Sequence, residues 1–179
     1  AATAARLHYQ LGYLYQQMNL YDQAQEHSLH AHALAVQCQD NATQIAALDQ
    51  LSVVASAQSD FSAAQSYVAE AFGLMEADDP RRGFGCSVLG YIALQQGELE
   101  EAVRYYSDSI TFHMAAGEHS LAAQSHQGLA FVYTCAGQHR QALVHYQHVL
   151  DKLPQQQYPL DVAWTQVEMG WLYRLLGDY

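Results

Sequence analysis

Ten histidines in 179 residues raise metal chemistry first. His27 and His30 are three apart, as are His145 and His148. Residues at that spacing share a helix face, so each pair could offer two imidazoles to one ion. A metal centre also needs a third ligand and partners that orient the set. No HExxH run and no carboxylate-supported set accompanies either pair. The two pairs fall at matching places on helices expected to face outward, so duplicated sequence accounts for them, and neither a metal nor a cofactor is expected. Cys38, Cys86 and Cys135 make no CxxC pair and no even-numbered framework, the pattern of reduced thiols in a cytoplasmic protein. Cys86 falls at a core-facing position, where a thiol packs rather than reacts. Asp78 and Asp79 precede a proline, and Glu98, Glu100 and Glu101 open a helix; carboxylates there cap the helix or complement its dipole. Gly83-x-Gly85 follows no strand and lacks the rest of a phosphate-binding fingerprint. No catalytic constellation emerges, and the chain is not expected to be an enzyme.

Charge narrows the partners. Asp and Glu number 18 against 7 Lys and Arg, a formal net charge of -11. Such a surface repels phosphate, which argues against direct nucleic-acid binding. Lys152 is the single lysine, and no basic patch forms. No run reaches the roughly 18–20 apolar residues that span a bilayer, and the opening Ala1-Ala2-Thr3-Ala4-Ala5-Arg6 is too short for a signal peptide. A start without Met suggests a piece of a longer protein.

The elements that carry these residues follow from an internal repeat. Leu11-Gly12-x-x-Tyr15, Leu51-Ser52-x-x-Ala55, Leu89-Gly90-x-x-Ala93, Leu129-Ala130-x-x-Tyr133 and Met169-Gly170-x-x-Tyr173 recur at steps of 40, 38, 40 and 40 residues. Each is followed by a turn and a second apolar stripe, such as Tyr21, Ala24, Ser28 and Ala31 in the first unit. Small residues at the Gly12 and Ala24 positions let two helices approach, and the Leu11, Tyr15 and Tyr21 positions fill the seam. Gly97, Gly137 and Gly177 fall where a helix end calls for a left-handed residue. First helices are expected over 3–18, 41–58, 81–96, 119–136 and 160–176, and second helices over 21–39, 61–77, 99–116 and 139–152. Units span about 1–40, 41–80, 81–118, 119–158 and an incomplete 159–179, forming a single array. Asp78-Asp79-Pro80 breaks units two and three, and Leu153-Pro154 through Tyr158-Pro159 is a polar connector. One hairpin cannot bury its apolar faces, so neighbours must stack.

These residues resemble the tetratricopeptide repeat family across essentially the whole chain. Its usual unit is about 34 residues, so the longer step looks like the arrays of kinesin light chain and of maltose-activator-type bacterial regulators. Similar arrays sit beside diguanylate cyclase and histidine kinase modules. Ser52 and Ala130 replace the family glycine, and Cys86 and His126 stand where a bulky aromatic is common. The resemblance implies an all-α fold: a right-handed α-solenoid of stacked antiparallel hairpins, about four and a half units. It implies a scaffold that binds a protein or peptide in its concave groove, or alternatively a ligand-sensing regulatory domain of a larger signalling or transcription-regulatory protein.

In such arrays a stripe of each first helix faces the groove, here Arg6, Tyr9, Tyr13 and Gln16 and their equivalents. Tyr13, Val53, Tyr91, Phe131 and Trp171 occupy one row along the repeats, and aromatic side chains there would anchor a partner. The candidate contact residues are Tyr9, Tyr13, Phe84, Tyr91, Gln127, Phe131, Trp164 and Trp171; if the longer helices bring the row against neighbouring repeats, it is packing instead. Seven tyrosines (Tyr15, Tyr21, Tyr106, Tyr133, Tyr146, Tyr173 and Tyr179) are accounted for by repeat packing alone. Family members that clamp acidic chaperone tails use basic groove residues; only Arg6 and Arg174 stand in the stripe, so an apolar or amphipathic helical peptide fits better. An unpartnered fifth unit would expose an apolar face and invite self-association.

Overall fold

Helix ends here are written by the residues that must turn left. The computed structural model describes residues 1–153 and 156–177; Pro154 and Gln155 of the polar connector, and Asp178 and Tyr179 of the fifth unit, lie outside the described residues. Among the described residues there are nine helices and no strand. They are α1 (Ala2–Gln17), α2 (Tyr21–Gln37), α3 (Asn41–Ala57), α4 (Phe61–Gly73), α5 (Arg82–Gln96), α6 (Leu99–Ala115), α7 (His119–Cys135), α8 (His139–Lys152) and α9 (Pro159–Leu176). Positive φ marks the helix-to-helix turns at Asn19, Gln39, Ser59, Gly97, Gly117 and Gly137, and the C-cap of α9 at Gly177. Caps are made by Asp40, which accepts from the Thr43 N–H, and Asp60, which accepts from the Ala63 N–H. Glu98 stands at the N-cap of α6 but makes no side-chain cap bond; Glu101 instead pairs with Arg104 along the helix.

One boundary departs from the spacing. The fourth helix stops at Gly73 rather than continuing to 77. Past that point Met75 is buried with Ile45, Leu48 and Ala71, on the side that Val68 and Ala71 bury within α4.

Packing divides the chain at the Asp79–Pro80 break into two compact units, Ala1–Asp79 and Pro80–Tyr179. In the first, α1 packs on α2, α2 on α3 and α3 on α4. In the second, consecutive helices pack in the same serial way from α5 to α9, and α5 also touches α7. Ala24, Ala64, Ala102 and Ala142, one per hairpin, are fully buried, so the second helices approach closely at the residue with least bulk.

The seam differs from expectation at the leucine position. Leu129 is buried with Ala102 and Tyr106 of the preceding hairpin's second helix, so this class packs backwards rather than on its own partner. Leu51 is buried too. Leu11 is 41% exposed, and Leu7, Leu14 and Met18 on the same side of α1 are exposed with it. Within the first unit no helix packs on that side of α1.

Candidate functional site

Gly128 allows a tyrosine to lie across the middle of a helix. It sits on α7, and a Cβ there would fall 2.5 Å from Cζ of Tyr106, inside the space its ring occupies. Gly90 on α5 is nearly as tight, with Tyr106 ring atoms 3.0 Å from where a Cβ would stand. Tyr106, rooted on α6, is thus flattened between two first helices. In the first unit the equivalent triplet is Gly12, Ser28 and Gln50: the Ser28 hydroxyl lies 2.6 Å from Gln50 Oε1 and 2.7 Å from the Ala24 carbonyl oxygen, and its one proton can go to either. One place is filled by Tyr plus Gly, the other by Ser plus Gln.

Because Tyr106 fills that space from below, its ring joins the floor of a groove of about 500 Å³ in the second unit. The groove is lined by Tyr91, Leu94 and Gln95 of α5, Gln124, Gln127, Gly128 and Phe131 of α7, and Leu160, Asp161 and Trp164 of α9. Three successive first helices therefore contribute one face each. Tyr91, Phe131 and Trp164 remain about two-fifths exposed. Phe131 and Trp164 tilt against each other with centroids 6.4 Å apart, and Trp164 meets the buried Tyr146 ring edge-on at 5.9 Å. Gln127 Nε2 reaches Thr165 Oγ1 at 3.4 Å, linking α7 to α9. Burial, with a smaller contribution from Tyr91, pushes the Tyr106 phenol well above its ordinary range, so it stays neutral. The lining carries one carboxylate, Asp161, three amides and no cation.

Of the residues singled out from sequence, Tyr91, Gln127, Phe131 and Trp164 meet in this groove. Tyr9 and Tyr13 stand on α1 in the other unit; Tyr13 is exposed and Tyr9 half-buried. Phe84 is half-buried on α5. Trp171 is exposed on α9 and meets His139 edge-on at 6.4 Å. None of these four lines the groove. Tyr106, Gly128, Leu160 and Asp161 do line it without being foreseen; the Tyr106 and Gly128 pairing depends on matching bulk across two helices, which no single-helix stripe reveals.

Of the cysteines, Cys86 behaves as packing, whereas Cys38 is half-buried and Cys135 exposed. Cys86 is buried, and desolvation, aided by Asp108, pushes its thiol up to about 11, so no thiolate forms at neutral pH. The second-helix histidines do not simply face outward: His27 and His145 are half-buried and turn toward His8 and His126 of the preceding first helices.

Two family models, both described as tetratricopeptide repeat, match residues 5–34 and 87–155. The chain belongs to the tetratricopeptide repeat family. No curated protein sequence matches it. Among solved structures, BtubC (BKLC) from P. vanneervenii is similar with a TM-score of 0.76 and 16% identity, over 94% of this chain and 71% of that one. The apo form of RapI gives a TM-score of 0.79 at 13% identity, over 98% of this chain and 65% of RapI. A putative kinesin light chain with nearly identical TPR-like repeats from Podosopora anserina gives 0.72 at 19% identity, over 99% and 89%. At these identities the likeness establishes the fold: an all-α solenoid of about four and a half tetratricopeptide repeats. Tetratricopeptide repeats are, in general, protein-interaction scaffolds rather than catalysts.

Proposed function

We propose that this protein is a binding scaffold whose second unit captures an apolar stretch of a peptide or protein partner in the groove between α5, α7 and α9. What carries this reading is the convergence of half-exposed Tyr91, Phe131 and Trp164 on one depression of about 500 Å³. That volume lies within the roughly 300–1,000 Å³ of ligand-holding clefts, room for a few anchoring side chains of a longer segment. Aromatic anchors supply contact area at low entropic cost. Gln95, Gln124 and Gln127 offer amide donors and acceptors to a partner's backbone. Asp161, in a lining without cations, favours a partner with a basic residue beside its apolar ones and disfavours an acidic tail. An amphipathic helix meets these terms by presenting three or four apolar side chains on one face.

The test is selection of peptides from a random display library on the native chain, followed by affinity measurement with variants. Phe131→Ala and Tyr91→Ala should each weaken the selected peptides at least about tenfold, ~1.4 kcal/mol or more, with helical circular dichroism unchanged. Trp171→Ala, outside the groove, should leave affinity within about twofold, the scatter of near-neutral contacts. Peptides that bind the Phe131 and Tyr91 variants as well as the native chain would refute the assignment.

A further inference from the structure

His8, His27 and His30 form a cluster that the groove does not use. His27 and His30 share one face of α2, and His8 on α1 meets both, with ring centroids 5.1 Å from each. The Nδ1 atoms of His8 and His27 are 2.9 Å apart. One ring nitrogen from each of the three lies within 4.8 Å of the other two. This supplies the third imidazole whose absence made the α2 pair look like duplicated sequence. Tyr15 stacks flat on His27, 5.3 Å between centroids and 4° between planes, fixing the ring's plane as an outer partner does for a metal ligand.

The fold does not require histidine at these places. The equivalents in the second repeat are Leu48, Tyr67 and Glu70, and in the third Cys86, Tyr105 and Asp108. Where Tyr15 becomes Ala55 or Ala93, the His27 place becomes tyrosine, so packing has another solution. The full set returns together 118 residues on, as His126, Tyr133, His145 and His148. There Tyr133 stacks on His145, and His126 lies 5.2 and 4.9 Å from His145 and His148. Among the described residues only the first trio brings one ligand atom from each ring within 4.8 Å of the others, so the ion-binding geometry belongs to His8, His27 and His30 rather than to the recurrence.

We propose that His8, His27 and His30 bind one divalent late first-row transition ion, zinc being the type case, with a coordination position left open to water. Three imidazoles without a thiolate suit zinc, copper or nickel rather than calcium or magnesium. At Zn–N distances of about 2.0–2.1 Å, tetrahedral ligands sit roughly 3.3 Å apart. From within 4.8 Å of one another, the ring nitrogens therefore need to draw in by up to about 1.5 Å, within reach of rotation about χ1 and χ2. Glu26 lies close enough to His8 to act on it electrostatically, and the chain carries a net charge of -11; both attract a cation.

Zinc titration of the tag-free chain by calorimetry, with His148→Gln present throughout to silence the second trio, tests this. One saturable equivalent is expected, with a rise in melting temperature because the ion ties α1 to α2. His8→Gln and His30→Gln should each weaken binding by at least about 100-fold, more than the 10–100-fold that loss of an outer partner costs. His30 is exposed, so its variant keeps the fold even if His8→Gln does not. His32→Gln, on the same helix but paired with Glu70 at 3.1 Å, should bind zinc unchanged. Absence of saturable binding, or retention of it in His30→Gln, would overturn the site.

Discussion

Gly128 and Tyr106 show how one missing methyl group shapes a surface. The ring lies where a Cβ would stand, so the depression between α5, α7 and α9 exists at this depth only with glycine on α7. Gly128→Ala should destabilise the protein by about 1–3 kcal/mol, the usual cost of overpacking, read as a lower melting temperature. Transplanting the first unit's solution offers a sharper check. Gly128→Gln alone should be worse than alanine, and adding Tyr106→Ser should recover much of the loss, since Ser28 and Gln50 fill the same space by hydrogen bonding at 2.6 Å. Additive losses in that double variant would mean that the two places are not one packing problem.

At the scale of elements, the helices were legible because punctuation and periodicity agree. Gly97, Gly137 and Gly177 announce left-handed turns, and each has a φ between 72° and 79° in the structure. Asn19, Gln39 and Ser59 do the same work in the first unit with side chains attached. Gln39 carries the strain with no special tolerance for it, and a left-handed non-glycine residue costs roughly 1–2 kcal/mol. Gln39→Gly should therefore stabilise the protein by up to about 1 kcal/mol after the entropy of glycine in the unfolded chain is counted, measured by urea denaturation. A loss of stability would show that the Gln39 side chain makes a contact outweighing its backbone. Sequence failed where the outcome depends on a second element. The direction of the leucine seam is set by Tyr106 on the previous hairpin. The third imidazole beside His27 and His30 appears only once the register of α1 against α2 is known.

For the molecule as a whole, the repeat spacing predicts a groove stripe; in the structure four of its eight candidate residues line one depression and the other four stand elsewhere. The four that meet are on consecutive first helices of one unit, where side chains a repeat apart point into common space. Tyr9 and Tyr13 belong to the other unit, and the stripe pattern, being the same in every repeat, could not tell the two apart. What the periodicity lacks is bulk: Gln124 and Gln127 are long enough to line the floor, whereas Ala46 and Asp49 at the matching places are shorter. Amide hydrogen exchange on the chain with and without a display-selected peptide tests the central claim most directly. Slowed exchange should appear over 91–95, 124–131 and 160–164, with the rest unchanged. Protection confined to α1 and α2, or spread evenly over all helices, would contradict a partner seated between α5, α7 and α9.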